Sequence, residues 1–195
     1  LALALARESI DQARLSGDPR DWGQAQAALA PWWASPAPPP AVRLLRATIR
    51  QGQHAFAEAL ADLDAIAALP TAPLPLRAQA ELTRAAVWQV QGRWADARGA
   101  CERLAGPGFA ALGSAVLHPG RACLAELDQL QGRVPAAQAA SRLAALAREA
   151  ERSGEDARWL HLLHAELAQR QGRPEAGRLF ALASAGDLPG IYALA

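Results

Sequence analysis

The stretch WLHLLHAEL, residues 159–167, sets His161, His164 and Glu166 close together. Two imidazoles three apart on a helix occupy neighbouring positions, which is a first requirement for sharing a metal. A metal site needs three or four converging ligands, and no HExxH pattern, second histidine cluster or cysteine pair at zinc spacing accompanies these residues. Ordinary helix packing is therefore the expectation, with no metal and no cofactor; a metal or ligand patch here is the only foothold for an enzyme-like alternative. His54 falls in a turn and is expected to close a helix end. Ser114, Ser141 and Ser184 stand in no nucleophile-elbow or SxxK context, and no glycine-rich loop suits phosphate. No catalytic residue is assigned, and the chain is read as a non-enzyme. The carboxylate pairs Asp62/Asp64 and Glu149/Glu151 lie two apart on helices, face different ways and read as solvated surface.

Composition narrows the classes further. The chain has 195 residues, 51% of them hydrophobic, enough to bury a core. Much of that fraction is alanine, which favours close-packed helices over sheets. There is no Lys, Asn or Met, so all 20 basic residues are arginine, scattered and balanced by 19 acids to a net charge of +1. Nucleic-acid binding needs a clustered positive face, and none collects. No apolar run approaches the ~20 residues that span a bilayer, so no membrane insertion is expected. The opening LALALARESIDQAR reads as a plain first helix rather than the end of a signal peptide, since a basic n-region is missing.

One phrase recurs. QGR appears with its glycine at 92, 132 and 172, and QGQHAF places Gly52 a further 40 positions back. A second alignment, on a small residue early in each following helix, gives Ala25, Ala59, Ala97, Ala137 and Ala176. Each unit then reads as a helix, a tight turn closed by a left-handed glycine, and a second helix notched by alanine where two axes approach. An aromatic fills the elbow: Trp22, Phe56 and Trp94 each stand three residues before their alanine.

With Ala85 and Ala97 in the two small positions, Trp88 in the first helix and Trp94 after the turn, AELTRAAVWQVQGRWADARGACERL (80–104) resembles a tetratricopeptide repeat. Ala47, Phe56, Ala59 and Leu63 match in the preceding unit, and Ala165, Ala176, Phe180 and Ala183 in the last. Glu81 and Val134 depart from the pattern, standing where aromatics belong. The resemblance implies an all-α, right-handed solenoid of about five repeats, near 4–34, 40–70, 77–106, 118–151 and 156–187, with the start of a further helix over 188–195, all in one domain. PWWASPAPPPAV (31–42) is expected to be a stiff, non-helical connector, and AGPGFAALGSAVLHPG (105–120) a long connection holding a short helical turn. The chain also resembles bacterial tetratricopeptide proteins with export signals, which implies a periplasmic or envelope location, a cytoplasmic one being the alternative.

In such a stack the helices bearing Cys101 and Cys123 touch. A disulfide fits if their Cα atoms come within about 7 Å, and would imply an oxidising compartment; two buried thiols fit as well.

First helices of such solenoids line a groove that holds peptides or partner helices. Carried over by position, the groove would present Leu44, Thr48 and Gln51; Leu82, Ala86, Gln89 and Val90; Glu126 and Gln129; and Leu162, Glu166, Gln169 and Arg170. Chaperone-binding members grip a terminal carboxylate with lysines and asparagines, both absent here, and only Arg14 and Arg170 approach such positions. The resemblance thus implies an adaptor for an unknown protein or peptide. The alternative is self-assembly, a homodimer burying Leu182, Ile191 and Tyr192.

Overall fold

In a computed structural model the described residues are 1–184; they are built of helices, with no strand among them. The chain divides after Arg93 into two compact units. The first holds α1 (Ala2–Ser16), α2 (Pro19–Ala28), α3 (Ala30–Trp33), α4 (Pro40–Gly52), α5 (Phe56–Ala67) and α6 (Leu74–Val90). The second holds α7 (Trp94–Leu104), a 3-10 helix (Pro107–Leu112), α8 (Ser114–Leu130), α9 (Ala136–Arg152), α10 (Arg158–Arg170) and α11 (Ala176–Ala183).

Packing runs mainly between neighbours in the chain. In the first unit α1 lies on α2, α4 on α5, and α6 on both α4 and α5. Ile10, Ala25, Leu29, Val42, Leu45 and Ile49 form one cluster, and Ala47, Ala59, Leu63, Ile66 and Ala80 the next. In the second unit α8, α9 and α10 close around Ala122, Ala139, Leu143, Leu146, Leu160, Leu163 and Leu167. Alanine at the crossings keeps axes close, so leucines from flanking positions fill the remaining volume.

One turn is built four times after a glutamine, and a fifth copy closes α9 at Ser153 and Gly154, whose amides and that of Glu155 reach Glu151 and Ala150 in the same way. After α4, α6, α8 and α10 comes a glutamine, Gln53, Gln91, Gln131 or Gln171, and then a left-handed residue. That residue donates its amide to the carbonyl of Gln51, Gln89, Gln129 or Gln169, each at 3.0 Å. The following amide reaches one residue further back, to Arg50, Trp88, Asp128 or Ala168. These bonds satisfy carbonyls that a helix end would otherwise leave open. Three of the left-handed residues are Gly92, Gly132 and Gly172, but the fourth is His54, at φ 60°. Gly52, aligned with those glycines in the sequence, instead ends α4 beneath Trp22, where a Cβ would lie 2.5 Å from the indole. The phrase is therefore misregistered by two at its first occurrence, and the true left-handed series is 54, 92, 132, 172. Seven residues before each stands a buried alanine: Ala47, Ala85, Ala125 and Ala165.

The second helices slip similarly. Ala25, Ala59 and Ala97 are fully buried, whereas Ala137 is exposed and Ala176 only half-buried. Ala139 and Leu179 take the buried place, each the fourth residue of its helix, as Ala59 and Ala97 are in theirs. Pro135 is the reason in α9: it precedes the helix as its N-cap, so α9 begins four residues after its turn glycine rather than two. Pro174 sits likewise in the extended turn before α11.

The connectors are also more helical than their prolines suggest. Pro31 sits in the first turn of α3 and Pro40 opens α4, positions where a missing amide costs nothing, so the irregular link shrinks to 34–39. The second connection ends at Gly113, and α8 runs on through Pro119. A Cβ at the adjacent Gly120 would stand 2.7 Å from the amide nitrogen of Ala105, so this glycine admits a close approach of the preceding backbone.

Asp62 is not surface. It is 3% exposed and accepts hydrogen bonds from Arg46 at 2.6 and 2.7 Å and from Arg50 at 2.7 Å, with Arg43 3.6 Å away. Arg46 also donates to the carbonyls of Trp32, Trp33 and Ser35, closing the end of α3. Asp64, two residues on, is exposed as expected and pairs with Arg84 at 2.9 Å.

Candidate functional site

The thirteen groove positions fall on α4, α6, α8 and α10, the helices that precede the repeated turn. Leu44, Gln51, Leu82, Ala86, Gln89, Glu126, Gln129, Leu162 and Glu166 are half-buried; Val90, Gln169 and Arg170 are exposed; Thr48 is buried and donates its hydroxyl to the Leu44 carbonyl. Within the first unit α4 lies beside α6, so its seven candidates sit on neighbouring helices. Within the second, α8 touches α10, and Arg170 donates to Gln129 at 3.5 Å.

Three of these positions meet at one cavity of about 280 Å³ in the first unit. Thr48, Gln51 and Val90 line it together with Arg14, Trp22, Gly52, His54 and Phe56. Local sequence explains how they converge. Gly17 ends α1 in a left-handed turn just after Arg14, and Asp18 caps α2 by accepting the Arg20 amide at 2.9 Å, which sets Trp22 on the first turns of that helix. The bare Cα of Gly52 admits the Trp22 ring. The left-handed backbone of His54 then turns the chain so that its imidazole meets Phe56 edge-on, with centroids 5.4 Å apart. Trp22 and Phe56 were expected as elbow fillers and His54 as a helix closure; that all three border one cavity was not foreseen.

The other chemistry-bearing residues are distributed differently. His161 hydrogen-bonds Glu151 at 2.8 Å. Burial, and then the neighbouring His161, push the His164 imidazole below its ordinary value. Among the described residues no group of three or more His, Cys, Asp or Glu could hold a metal ion. A cluster that the sequence reading passed over surrounds His118, which is 4% exposed on α8. Its Nδ1 lies 3.3 Å from Glu155 and its Nε2 3.6 Å from Glu149, while the Ser114 hydroxyl bonds to Glu155. The serine engages the carboxylate and not the imidazole, so no nucleophile–base relay exists; the cluster ties α8 to the end of α9 and the link beyond it. Ser114 and His118 stand at i, i+4, a signal lost because this segment reads as loop.

Cys101 and Cys123 are joined by a disulfide, Cα to Cα 5.9 Å, linking α7 to α8. Asp128 receives Arg98 at 2.6 Å and Arg142 at 2.9 Å. Burial alone would raise its carboxyl, but the hydrogen bonds from Arg98 and Arg142 outweigh that and hold it below the usual range. Leu182 is exposed on α11; Ile191 and Tyr192 lie outside the described residues. No described helix is long and apolar enough to cross a membrane.

Compared with known proteins, the chain matches no family model, no curated protein and no solved structure.

Proposed function

We propose that the chain is a non-enzymatic interaction module of tetratricopeptide type, a right-handed stack of about five helix hairpins that binds a peptide or partner protein along its first helices. The turn built four times after a glutamine and the buried alanine seven residues before it support the repeat reading. The observation that carries the binding reading is the cavity shared by Thr48, Gln51 and Val90, groove positions from two helices. Binding sites are concave and mostly apolar with a few polar groups, and this one has that make-up. The Cys101–Cys123 disulfide fits an oxidising compartment, in keeping with an exported protein.

Selection from a random peptide display library tests the reading. Peptides retained by the native protein should be lost on Val90→Trp, which fills the cavity mouth from an exposed position, and on Leu82→Glu. Selection that returns no sequence family, or peptides indifferent to both variants, refutes it. Self-assembly, the second reading, is favoured by the exposed Leu182; light scattering that shows a dimer lost in Leu182→Glu would put that reading first.

A further inference from the structure

We propose that the cavity beside His118, in the second unit, binds a primary alkylammonium: the end of a lysine side chain or a free small amine. Ser114, His118, Glu155, Asp156, Trp159 and Leu160 line it, brought together by α8, the link after α9 and the first turn of α10. Its volume is about 60 Å³, and at about 10–15 Å³ for each water-sized group it takes about four to six non-hydrogen atoms. Propylammonium, or the outer carbons and nitrogen of a lysine side chain, is of that size.

Charge selects a cation. Glu149 and Glu155 lie 3.6 and 3.3 Å from the His118 ring, which is the one cationic partner either has among the described residues. An imidazole carries at most a single positive charge, so two carboxylates leave a net negative charge here in either protonation state of the ring. Asp156 adds nothing to that excess, because the Arg158 Nε donates to both its oxygens at 2.9 Å. The described residues do not converge as metal ligands, so a molecular cation is the complement. The chain has no lysine, so neither it nor a second copy supplies a lysine ammonium.

The imidazole gives an independent sign of a ligand. His118 is buried, yet its Nδ1 makes no hydrogen bond, and the Glu155 oxygen 3.3 Å away does not complete one. Buried nitrogens are normally satisfied by protein, water or a ligand. An ammonium carries three donors on one atom, enough for Nδ1 and for the open lone pairs of Glu155 and the Ser114 hydroxyl. A guanidinium fits less well: its fork takes both oxygens of one carboxylate, and Ser114 and His118 already flank one Glu155 oxygen each. Trp159 and Leu160 border the alkyl part.

Propylammonium and its neutral counterpart 1-propanol test the site on the full chain, with binding read by saturation-transfer NMR and by the His118 Nδ1 and Trp159 indole shifts. The amine should bind about fivefold more tightly than the alcohol, the range of a partly exposed charge pair, and should shift Nδ1 as that nitrogen gains a donor. Glu155→Gln should abolish the preference for the amine with helix content unchanged by circular dichroism, and Glu155→Asp should restore part of it, which a fold defect would not. Lysine blocked as its acetyl methylamide distinguishes the sources. Binding as tight as that of propylammonium supports a side-chain donor, whereas its exclusion while propylammonium binds supports a free amine.

Equal binding of amine and alcohol to the native protein, or a preference that survives Glu155→Gln, overturns the ammonium site. Blocked arginine binding as tightly as blocked lysine overturns the choice of ammonium over guanidinium. No shift at His118 with either amine at high millimolar concentration overturns the site altogether.

Discussion

Replacing Asp62 by asparagine removes the carboxylate charge that Arg43, Arg46 and Arg50 share. The carboxylate is 3% exposed and Arg46 4%, so water cannot take over the lost interaction. Deleting one partner of a buried ion pair costs about 3–5 kcal/mol, because the other is left charged in a dry place. Asparagine keeps one acceptor oxygen, which sets the expectation at the lower end, about 3 kcal/mol. With a urea dependence of ~1–3 kcal/mol per molar, the unfolding midpoint should fall by roughly 1–3 M.

The control is Asp64→Asn. That carboxyl is 56% exposed and pairs with Arg84 at 2.9 Å, a surface bridge contributing about 0–1 kcal/mol. Urea unfolding followed by circular dichroism and tryptophan fluorescence compares the two. Adding Arg46→Met to Asp62→Asn should not restore stability, since Arg46 also satisfies the carbonyls of Trp32, Trp33 and Ser35. Equal, small shifts for Asp62→Asn and Asp64→Asn, or full recovery in the double variant, would refute the reasoning.

Freshly isolated, denatured protein should show no reactive thiol, and reduction of the disulfide across its 22-residue separation should cost about 3 kcal/mol by loop entropy; two reactive thiols before reduction would rule the bond out. Because the Asp128 carboxyl is held low when folded, its stabilisation is full above the ordinary carboxylate value, roughly 3.9, and is lost as pH falls through the lower folded value. The stability gap between the native protein and Asp128→Asn, about 2 kcal/mol at neutral pH from two charged hydrogen bonds, should therefore close only below about pH 4; a gap that closes nearer neutrality contradicts the assignment. Gly120→Ala should destabilise by about 1–3 kcal/mol, since its Cβ meets backbone at 2.7 Å, whereas Gly99→Ala, whose Cβ would meet only the Arg103 side chain at 3.4 Å, should stabilise by up to about 1 kcal/mol; like signs in thermal unfolding would show the glycines misjudged.

The helices were legible where periodicity and turn chemistry agreed. Ala47, Ala85, Ala125 and Ala165 keep a constant distance to the left-handed residue, so the first helices could be placed from the sequence. The second helices could not, because the register passes through the turn. Pro135 delays α9 by two residues, and the alignment on small residues then picks Ala137 instead of Ala139. Pro119 misled in the other direction: proline and glycine signal a break, yet packing against Leu104 and Ala105 carries α8 through. Asp62 was readable and was misread, for Ala59, Asp62, Leu63 and Ile66 share the spacing of one buried helix face, and Arg43, Arg46 and Arg50 mark the matching face of α4.

The candidate site was hidden by the same misregistration that displaced the first turn. In QGQH the glycine copies the phrase seen at 92, 132 and 172 and draws the alignment to itself, while the histidine two places later takes the left-handed turn. Had glycine stood at 54, as in the sister turns, no imidazole would meet Phe56; had any other residue stood at 52, Trp22 could not lie where it does. Both exceptions to the repeat act on the lining of one cavity. Exceptions arising by drift alone would be scattered, so their coincidence is the reason to test the proposed binding at the hairpin of α4 and α5 first.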